Sequence, residues 1–292
     1  MHEFLQTTIN GLSVGSIYAL AAIGLTLVYG ILRLVNFAHG EYMTLGAYVA
    51  FAINVQAGAP LWLAIIGALV VVAAFSLAME WTIWKPMRAR GAEMLQLLLL
   101  SLGLSFVMRY LIQFQWDATE KKLDIDDTQA WHPFDLSISR VQLIVVVAAG
   151  VLLTIVAVLL KRTLLGAQLR AMSDNFDLAE VSGANTNKLL AITWIVSGAL
   201  TGLSGVFLGL YTLIRPDIGF ITLLSVFAAV ILGGIGNAYG ALLGGLLLGC
   251  IQEWSTIGGY IPATYKEAVG FVVLILVLLI RPQGILGQRR SL

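Results

Sequence analysis

Apolar residues fall in long runs at 10–31, 37–54, 60–84, 92–115, 141–160, 188–213 and 267–281, separated by short polar stretches. Most of these runs reach the ~20 residues with which a helix crosses the roughly 30 Å hydrocarbon layer of a bilayer. An eighth tract, 220–254, is interrupted by GGIGNAYG at 233–240. Its halves are short for a crossing, and they read either as two brief spans or as a re-entrant hairpin. The pattern predicts an all-α polytopic membrane protein of seven to nine transmembrane or re-entrant helices, a single domain over 1–292. Broken backbone at membrane depth is tolerated only inside protein or beside a watery cavity. Gly233, Gly234, Gly236 and Asn237 are therefore candidates for lining a polar route through the bundle.

Composition agrees, with 59% of residues hydrophobic and 11% charged, against roughly a quarter charged in soluble domains. The net charge of +1 says less than where the charges fall. Arg33, the group Lys85, Arg88 and Arg90, the loop 162–188, and Arg281, Arg289 and Arg290 all lie in alternate connections. The loop 116–140 instead holds Asp117, Glu120, Asp124, Asp126, Asp127 and Asp135, with Trp116 and Trp131 suited to a membrane interface. Because basic loops stay on the cytoplasmic side, the N-terminus is expected outside and the C-terminus inside. The opening MHEFLQTTIN carries no Lys or Arg. It is unlike the basic start of a cleavable signal, so the first span is expected to persist. Cys250 is the single cysteine and excludes an internal disulfide.

The loop 162–188, RTLLGAQLRAMSDNFDLAEVSGANTNK, is a polar island between two apolar runs. Its middle, Ser173 to Val181, predicts a short helix with Ser173 or Asp174 as N-cap and acids in the first turns. Ala179 and Gly183, accompanied by Arg170, Asp177 and Glu180, place small residues where a partner backbone can approach. An amphipathic connector lying on the membrane surface would show the same pattern. The loop's length favours a working segment.

Within NFAHGE at 36–41, Asn36 suits an N-cap and Glu41 a first-turn position favourable to the helix dipole. In a second reading, His39 and Glu41 face a translocation route or its inner gate, because charge turned to lipid is costly. Gly198, Gly202, Gly205 and Gly209 follow a 4-3-4 spacing that suits close helix packing, and Gly240, Gly244, Gly245 and Gly249 offer a second such surface. Arg109 and Glu80 lie near the ends of their spans, where each either snorkels or pairs with an opposite charge. On the outer side, Arg215 and Asp217 read as solvated loop charge or as a docking point for an external protein. Finally, Tyr29, Arg33 and Phe37 in YGILRLVNF echo Tyr211, Arg215 and Phe220 in YTLIRPDIGF. The copies lie on opposite sides of the expected topology, the pattern of an inverted repeat with broken helices.

No HExxH, CxxC, GxSxG or GxxxxGK[ST] motif is present, and His2, His39 and His132 are scattered. Covalent catalysis and a metal site are thereby disfavoured. Few acids lie at membrane depth, which argues against a proton or sodium relay. Uphill transport would draw either on an ion gradient or on a separate ATP-hydrolysing subunit. NGLSVGSIYALAAIGLTLVYG at 10–30, NFAHGEYMTLGAY at 36–48, RAMSDNFDLAEVSGAN at 170–185, SGALTGLSGVFLG at 197–209, GGIGNAYGALLGG at 233–245 and RPQGILG at 281–287 occur in that order. On these blocks the chain resembles, over essentially its whole length, the permease subunits of branched-chain amino acid ABC importers.

That resemblance implies a prokaryotic inner-membrane complex of two permeases, two cytoplasmic ATPases and an external solute-binding protein, in contact with lipid and without cofactor or nucleic acid. It also implies that the segment Asn175 to Gly183 is a coupling helix seated in a cleft on the ATPase. The second permease is expected to be a related chain rather than a copy. The solute class is branched-chain or other neutral amino acids, with urea, short amides or aromatic acids as alternatives within the class. A secondary transporter or channel working without an ATPase is the alternative outside it.

Overall fold

The computed structural model describes residues 2–125, 131 and 137–287. Asp126, Asp127, His132, Asp135, Arg289 and Arg290 lie outside the described residues. The first helices are α1 (His2–Leu32), α2 (Ala38–Phe51, continued by a π-helical turn Ala52–Gln56) and α3 (Leu61–Met79, continued by a second π turn Glu80–Trp84 into α4, Lys85–Ala89). Then come α5 (Met94–Trp116), α6 (Arg140–Arg162), α7 (Leu164–Asp174), α8 (Phe176–Val181), α9 (Thr186–Tyr211), α10 (Ile218–Gly233), α11 (Ala238–Trp254) and α12 (Lys266–Ile280). Among the described residues, six helices have the length and apolarity of membrane spans, and α10 is a shorter apolar one.

Several helices begin where the sequence supplies an acceptor. Glu93 with Gln96 and Ser139 with Gln142 form capping boxes for α5 and α6. Thr163, Asn175, Asn185 and Asn237 each accept first-turn N–H groups of the next helix. α1 and α9 are largely buried and apolar all round, so they form the centre; α3, α5, α6 and α12 turn a face outward.

Local ties sort the connections into two ends. At one end the Ser173 hydroxyl donates to the Gly30 carbonyl at 2.9 Å, and Asn237 Nδ2 donates to the Leu286 carbonyl at 2.9 Å. The N–H groups of Ile285 and Leu286 bond the carbonyls of Leu232 and Gly233 at 2.8 and 3.0 Å. At the other end Trp254 Nε1 donates to Thr8 Oγ1 at 2.9 Å, and the Gly258 N–H to the Glu3 carboxylate at 2.9 Å. There too Lys121 pairs with Ile214, and the Asp124 N–H reaches Asn54 Oδ1 at 2.8 Å. Arg33, the α7–α8 segment and Arg281 thus share one end, hereafter the basic end. The N-terminus and the acids Asp117 to Asp124 share the opposite end.

The tract at 220–254 is a tight hairpin, α10 and α11. α11 runs beside α1 from Gly30 at the basic end to Thr8 at the other, so it crosses the bundle. The break at 234–237 lies at the basic end and not at membrane depth. This corrects the expectation that its glycines interrupt a helix inside the bilayer.

α2 and α10 behave differently, because both begin inside the bundle. His39 at the start of α2 is level with Ala21 of α1 and Thr201 of α9. Gly40 faces Gly219 of α10 so closely that a Cβ on Gly40 would stand 2.7 Å from the Gly219 carbonyl oxygen. α2 follows α1 and α10 follows α9, and the two run in opposite directions. The surrounding contacts repeat in the same sense: α11 packs on α1 as α3 packs on α9, and α10 meets α11 and α12 as α2 meets α3 and α5. These paired units carry the two Tyr/Arg/Phe segments at their junctions.

Glycines make the close approaches possible. Gly198 and Gly202 lie against Val72 and Ser76 of α3, Gly205 against the Met43 backbone, and Gly209 against Ile214 and Ala47. On α11, Gly244 meets the Ala229 carbonyl, and Gly245 and Gly249 meet Ala19 and Gly15. Overfilling a packed interior costs about 1–3 kcal/mol, and rigid backbone cannot yield to reduce it. Gly40→Val is expected to lower the thermal unfolding midpoint of detergent-purified protein by several degrees. Gly103→Val, with nothing within 4 Å of its Cβ, should leave the midpoint unchanged.

Candidate functional site

The polar island of residues 162–188 folds into α7 and α8, which meet at Asn175. That residue leaves the helical region (φ −152°, ψ 106°), and its side chain accepts the Leu178 N–H at 3.0 Å. The N-cap is thus Asn175, one or two residues later than expected, because Ser173 and Asp174 complete α7 and the Ser173 hydroxyl is spent on Gly30. α8 closes in a Schellman turn, with Ala184 N–H bonding the Ala179 carbonyl and Gly183 N–H the Glu180 carbonyl. Gly183 has φ +88° and open space around it, so backbone conformation explains the glycine.

Ala179 faces inward and is 6% exposed, whereas Leu178 is 60% and Val181 81% exposed. Ala179 therefore serves the chain's own packing and is not open to a partner backbone, while Gly183 answers to the helix end. The surface offered outward is Leu178 and Val181, flanked by exposed Asp174, Asp177 and Glu180. Arg170 braces α7 from behind: its guanidinium donates to the Leu160 carbonyl in the last turn of α6, where a cation is favoured by the helix dipole.

A second polar assembly surrounds the inner start of α2. A helix N-terminus leaves N–H groups without intrahelical partners, and lipid supplies none. Here the Phe37 N–H bonds Ser101 Oγ at 3.0 Å, and the Ala38 N–H bonds Asn36 Oδ1 at 3.1 Å. At the facing start of α10, Thr44 Oγ1 accepts the Gly219 N–H at 3.1 Å. His39 Nε2 lies 3.0 Å from both the Ala21 carbonyl and Thr201 Oγ1. A carbonyl only accepts, so Nε2 carries the proton. The fully buried ring pins α2 to α1 and α9, which removes His39 from the candidates for a route.

Glu41 is fully buried and meets Arg109 of α5, whose Nε and one terminal nitrogen lie 3.2 and 2.8 Å from the same carboxylate oxygen. The guanidinium stands 4.3 Å from the Phe220 ring centroid and 5.5 Å from that of Phe106. One ion pair with two aromatic flanks thus joins α2, α5 and α10. Arg109 keeps 16% of its side chain exposed, while the second oxygen of Glu41 has no partner. Sequence reasoning left Arg109 unassigned; a lone arginine within a span needs an acid, but its partner is 68 positions away. Glu80 likewise pairs with Arg88.

The remaining candidates have structural roles. Gly233 packs on Gly240, Asn237 caps α11, and Gly234 (φ +109°) lies against Gly284 of the C-terminal segment. Gly236 (φ +84°) turns the chain beside Gly30. These four residues build a turn at the basic end rather than an intramembrane route. Arg215 and Asp217 form an open pair at 3.8 Å, each about half exposed.

A polytopic helical bundle in which two helices start inside the protein and face each other is the kind of arrangement membrane transporters use. The family model described as "Branched-chain amino acid transport system / permease component" matches residues 7–278, and the chain belongs to this family. It is 33% identical to the high-affinity branched-chain amino acid transport system permease protein LivH of Escherichia coli K12, over 98% of this chain and 96% of that one. It is 35% identical to the permease BraD of Pseudomonas aeruginosa, over 99% and 97%. A probable LivH of Methanocaldococcus jannaschii is 31% identical over 93% and 89%. Among solved structures, PsaBC from Streptococcus pneumoniae in complex with Fab shares the fold, with TM-score 0.53, 15% identity and coverage of 97% and 93%. The chain is accordingly an inner-membrane transport subunit and not an enzyme, with ATP hydrolysis on a separate subunit and a solute-binding component alongside.

Removing one partner of a buried ion pair costs ~3–5 kcal/mol, because the other is left as an unpaired charge. Arg109→Gln is expected to destabilise the protein strongly in thermal unfolding. Adding Glu41→Gln should restore much of the loss, giving a large favourable coupling in the double-mutant cycle.

Proposed function

We propose that this permease carries branched-chain or other neutral amino acids inward, with its N-terminus outside and the basic end in the cytoplasm. Solute arrives from an external binding protein, for which Arg215 and Asp217 offer charges beside the acidic loop. The complex holds two ATPases and a second permease, a related chain rather than a copy. The solute class is supported by the names of the relatives above, which match nearly end to end. The coupling role rests on one observation: α8 presents Leu178 and Val181, with acids around them, outward from a braced support at the basic end.

In this mechanism, closure of the ATPases on ATP displaces α8 and α7 together. Ser173 passes that displacement to the end of α1, and α1 shifts against α9 and α11. The inner starts of α2 and α10 then part or approach, changing which side the central path faces. Of the candidates around that path, Glu41 with Arg109, Phe106 and Phe220 is the group we assign to its lining; Arg109 is the member with an open edge. Asn36 supports the start of α2, and the glycines of the four-member stripe act in packing.

Apolar anchors at an interface centre carry a large share of its binding energy, so their loss costs about tenfold or more. Leu178→Asp and Val181→Asp should each depress leucine uptake in proteoliposomes of the full complex by about that factor. Their unfolding midpoints should stay at the parent value, whereas Ala179→Leu should lower it. Undiminished, ATP-dependent uptake in both aspartate variants would remove the coupling assignment. Competition of leucine uptake by urea or an aromatic acid would redirect the solute assignment.

A further inference from the structure

On the outside of the bundle, α6 and α11 leave a groove of about 420 Å³ between them. That volume falls within the ~300–1,000 Å³ of sites that hold small organic molecules. Leu153 and Ala157 line it from α6, and Leu242 and Leu246 from α11. Each pair is four residues apart and so lies on one face of its helix. Nearby Ile155, Val158, Leu243 and Leu247 are exposed apolar side chains, so the groove opens on a surface that belongs in lipid.

The hydroxyl protons in the groove are already spent. Thr154 Oγ1 donates to the Gly150 carbonyl at 2.7 Å, and the Tyr239 hydroxyl ties α11 to α6 through the Ala157 carbonyl at 3.0 Å. What is left is positive charge. Lys161 and Arg162, the last two residues of α6, close the groove at the basic end. No acid lines it, and neither cation has an ion pair among the described residues.

Its length is informative. Gly150 lies near the middle of α6 (Arg140–Arg162), and a Cβ there would meet nothing within 4 Å. At 1.5 Å per residue, Gly150 to Lys161 covers roughly 17 Å. Half of the hydrocarbon layer is about 15 Å. The groove therefore spans one leaflet, apolar at depth and cationic where the lipid headgroups lie. A small soluble anion has no use for the apolar length. A zwitterionic lipid brings its own cation toward two others.

We propose that the α6–α11 groove binds one anionic phospholipid, with an acyl chain along Leu153, Leu242 and Leu246 and its phosphate at Lys161 and Arg162. Basic pockets between transmembrane helices hold such headgroups. Every outward face of the bundle touches lipid; this groove adds selection by charge. Thr163 follows at once and caps α7, so the headgroup sits where α7 departs from α6. Neither the identity of the solute nor coupling through α8 enters the argument.

The test uses the permease purified with its partner subunits. Native mass spectrometry follows titration with phosphatidylglycerol or with phosphatidylcholine of the same chains. Phosphatidylglycerol should bind the parent more tightly. The double variant Lys161→Gln/Arg162→Gln should weaken it by about 10–30-fold, on the scale of two surface cations, and leave phosphatidylcholine unchanged. Lys85→Gln/Arg90→Gln removes two exposed cations from another connection and should change neither lipid. Gly150→Trp fills the open depth of the groove and should weaken both lipids without lowering the unfolding midpoint. Equal binding of the two lipids by the parent overturns the proposal. So does an equal loss in the two double variants, which marks diffuse surface charge. Displacement of phosphatidylglycerol by glycerol phosphate at the same concentration overturns it too, since the chain then contributes nothing. A photoreactive residue at Val158 should yield a lipid adduct; an adduct to a second permease chain instead makes the groove a protein interface and sinks the assignment. Uptake measurements are not involved, so failure here leaves the transport assignment intact.

Discussion

Two helices start inside a membrane protein, and their unpaired N–H groups must find acceptors where no solvent is available. Much of the architecture answers that requirement. Ser101 is carried in from α5 to meet Phe37, Asn36 folds back on Ala38, and Thr44 of one broken helix serves Gly219 of the other. The two starts also lie against each other through Gly40 and Gly219, where no side chain separates the backbones. Satisfying one start thus positions the second. His39 and the Glu41–Arg109 pair fix the same region to α1, α9 and α5, so the middle of the bundle is held by polar contacts within an apolar frame.

Such an interior suits a machine that changes shape. Packed interfaces favour discrete arrangements over continuous sliding, and the hydrogen bonds and ion pair at the inner starts add directional contacts to them. The glycine seams of α9 and α11 let neighbouring helices run at short range, and the polar contacts at the inner starts define where they stop. At the basic end α8 is short and the support of α7 is specific: Thr163 caps α7, Arg170 holds it to α6, and Ser173 joins it to α1. In the proposed mechanism, force applied at Leu178 or Val181 enters through those three contacts.

Much of this was legible from residue patterns. The apolar runs located all the major helices to within a few residues, with the exception of α1, which begins near residue 2 instead of 10. The paired Tyr/Arg/Phe segments lie at the junctions leading into α2 and α10, the two helices that start inside the bundle. What the patterns missed has a common physical reason. The break at 233–240 resembles an intramembrane interruption, but a turn at the end of a bundle needs the same positive-φ glycines. Ala179 and Gly183 look like a docking motif, whereas one is packed inward and the other is demanded by a helix C-terminus. Glu41 with Arg109, and Ser101 with Phe37, depend on long-range encounters that no local spacing encodes.

The fold-back of residues 281–287 over the α10–α11 turn bears on the order of biosynthesis. The carbonyls of Leu232 and Gly233 receive their partners from Ile285 and Leu286. Those amides follow the hairpin's turn by about fifty residues, so they leave the ribosome well after it. The hairpin must therefore wait, incompletely closed, until residues 281–287 have been made, and a chain stalled before them would remain unlatched at this corner.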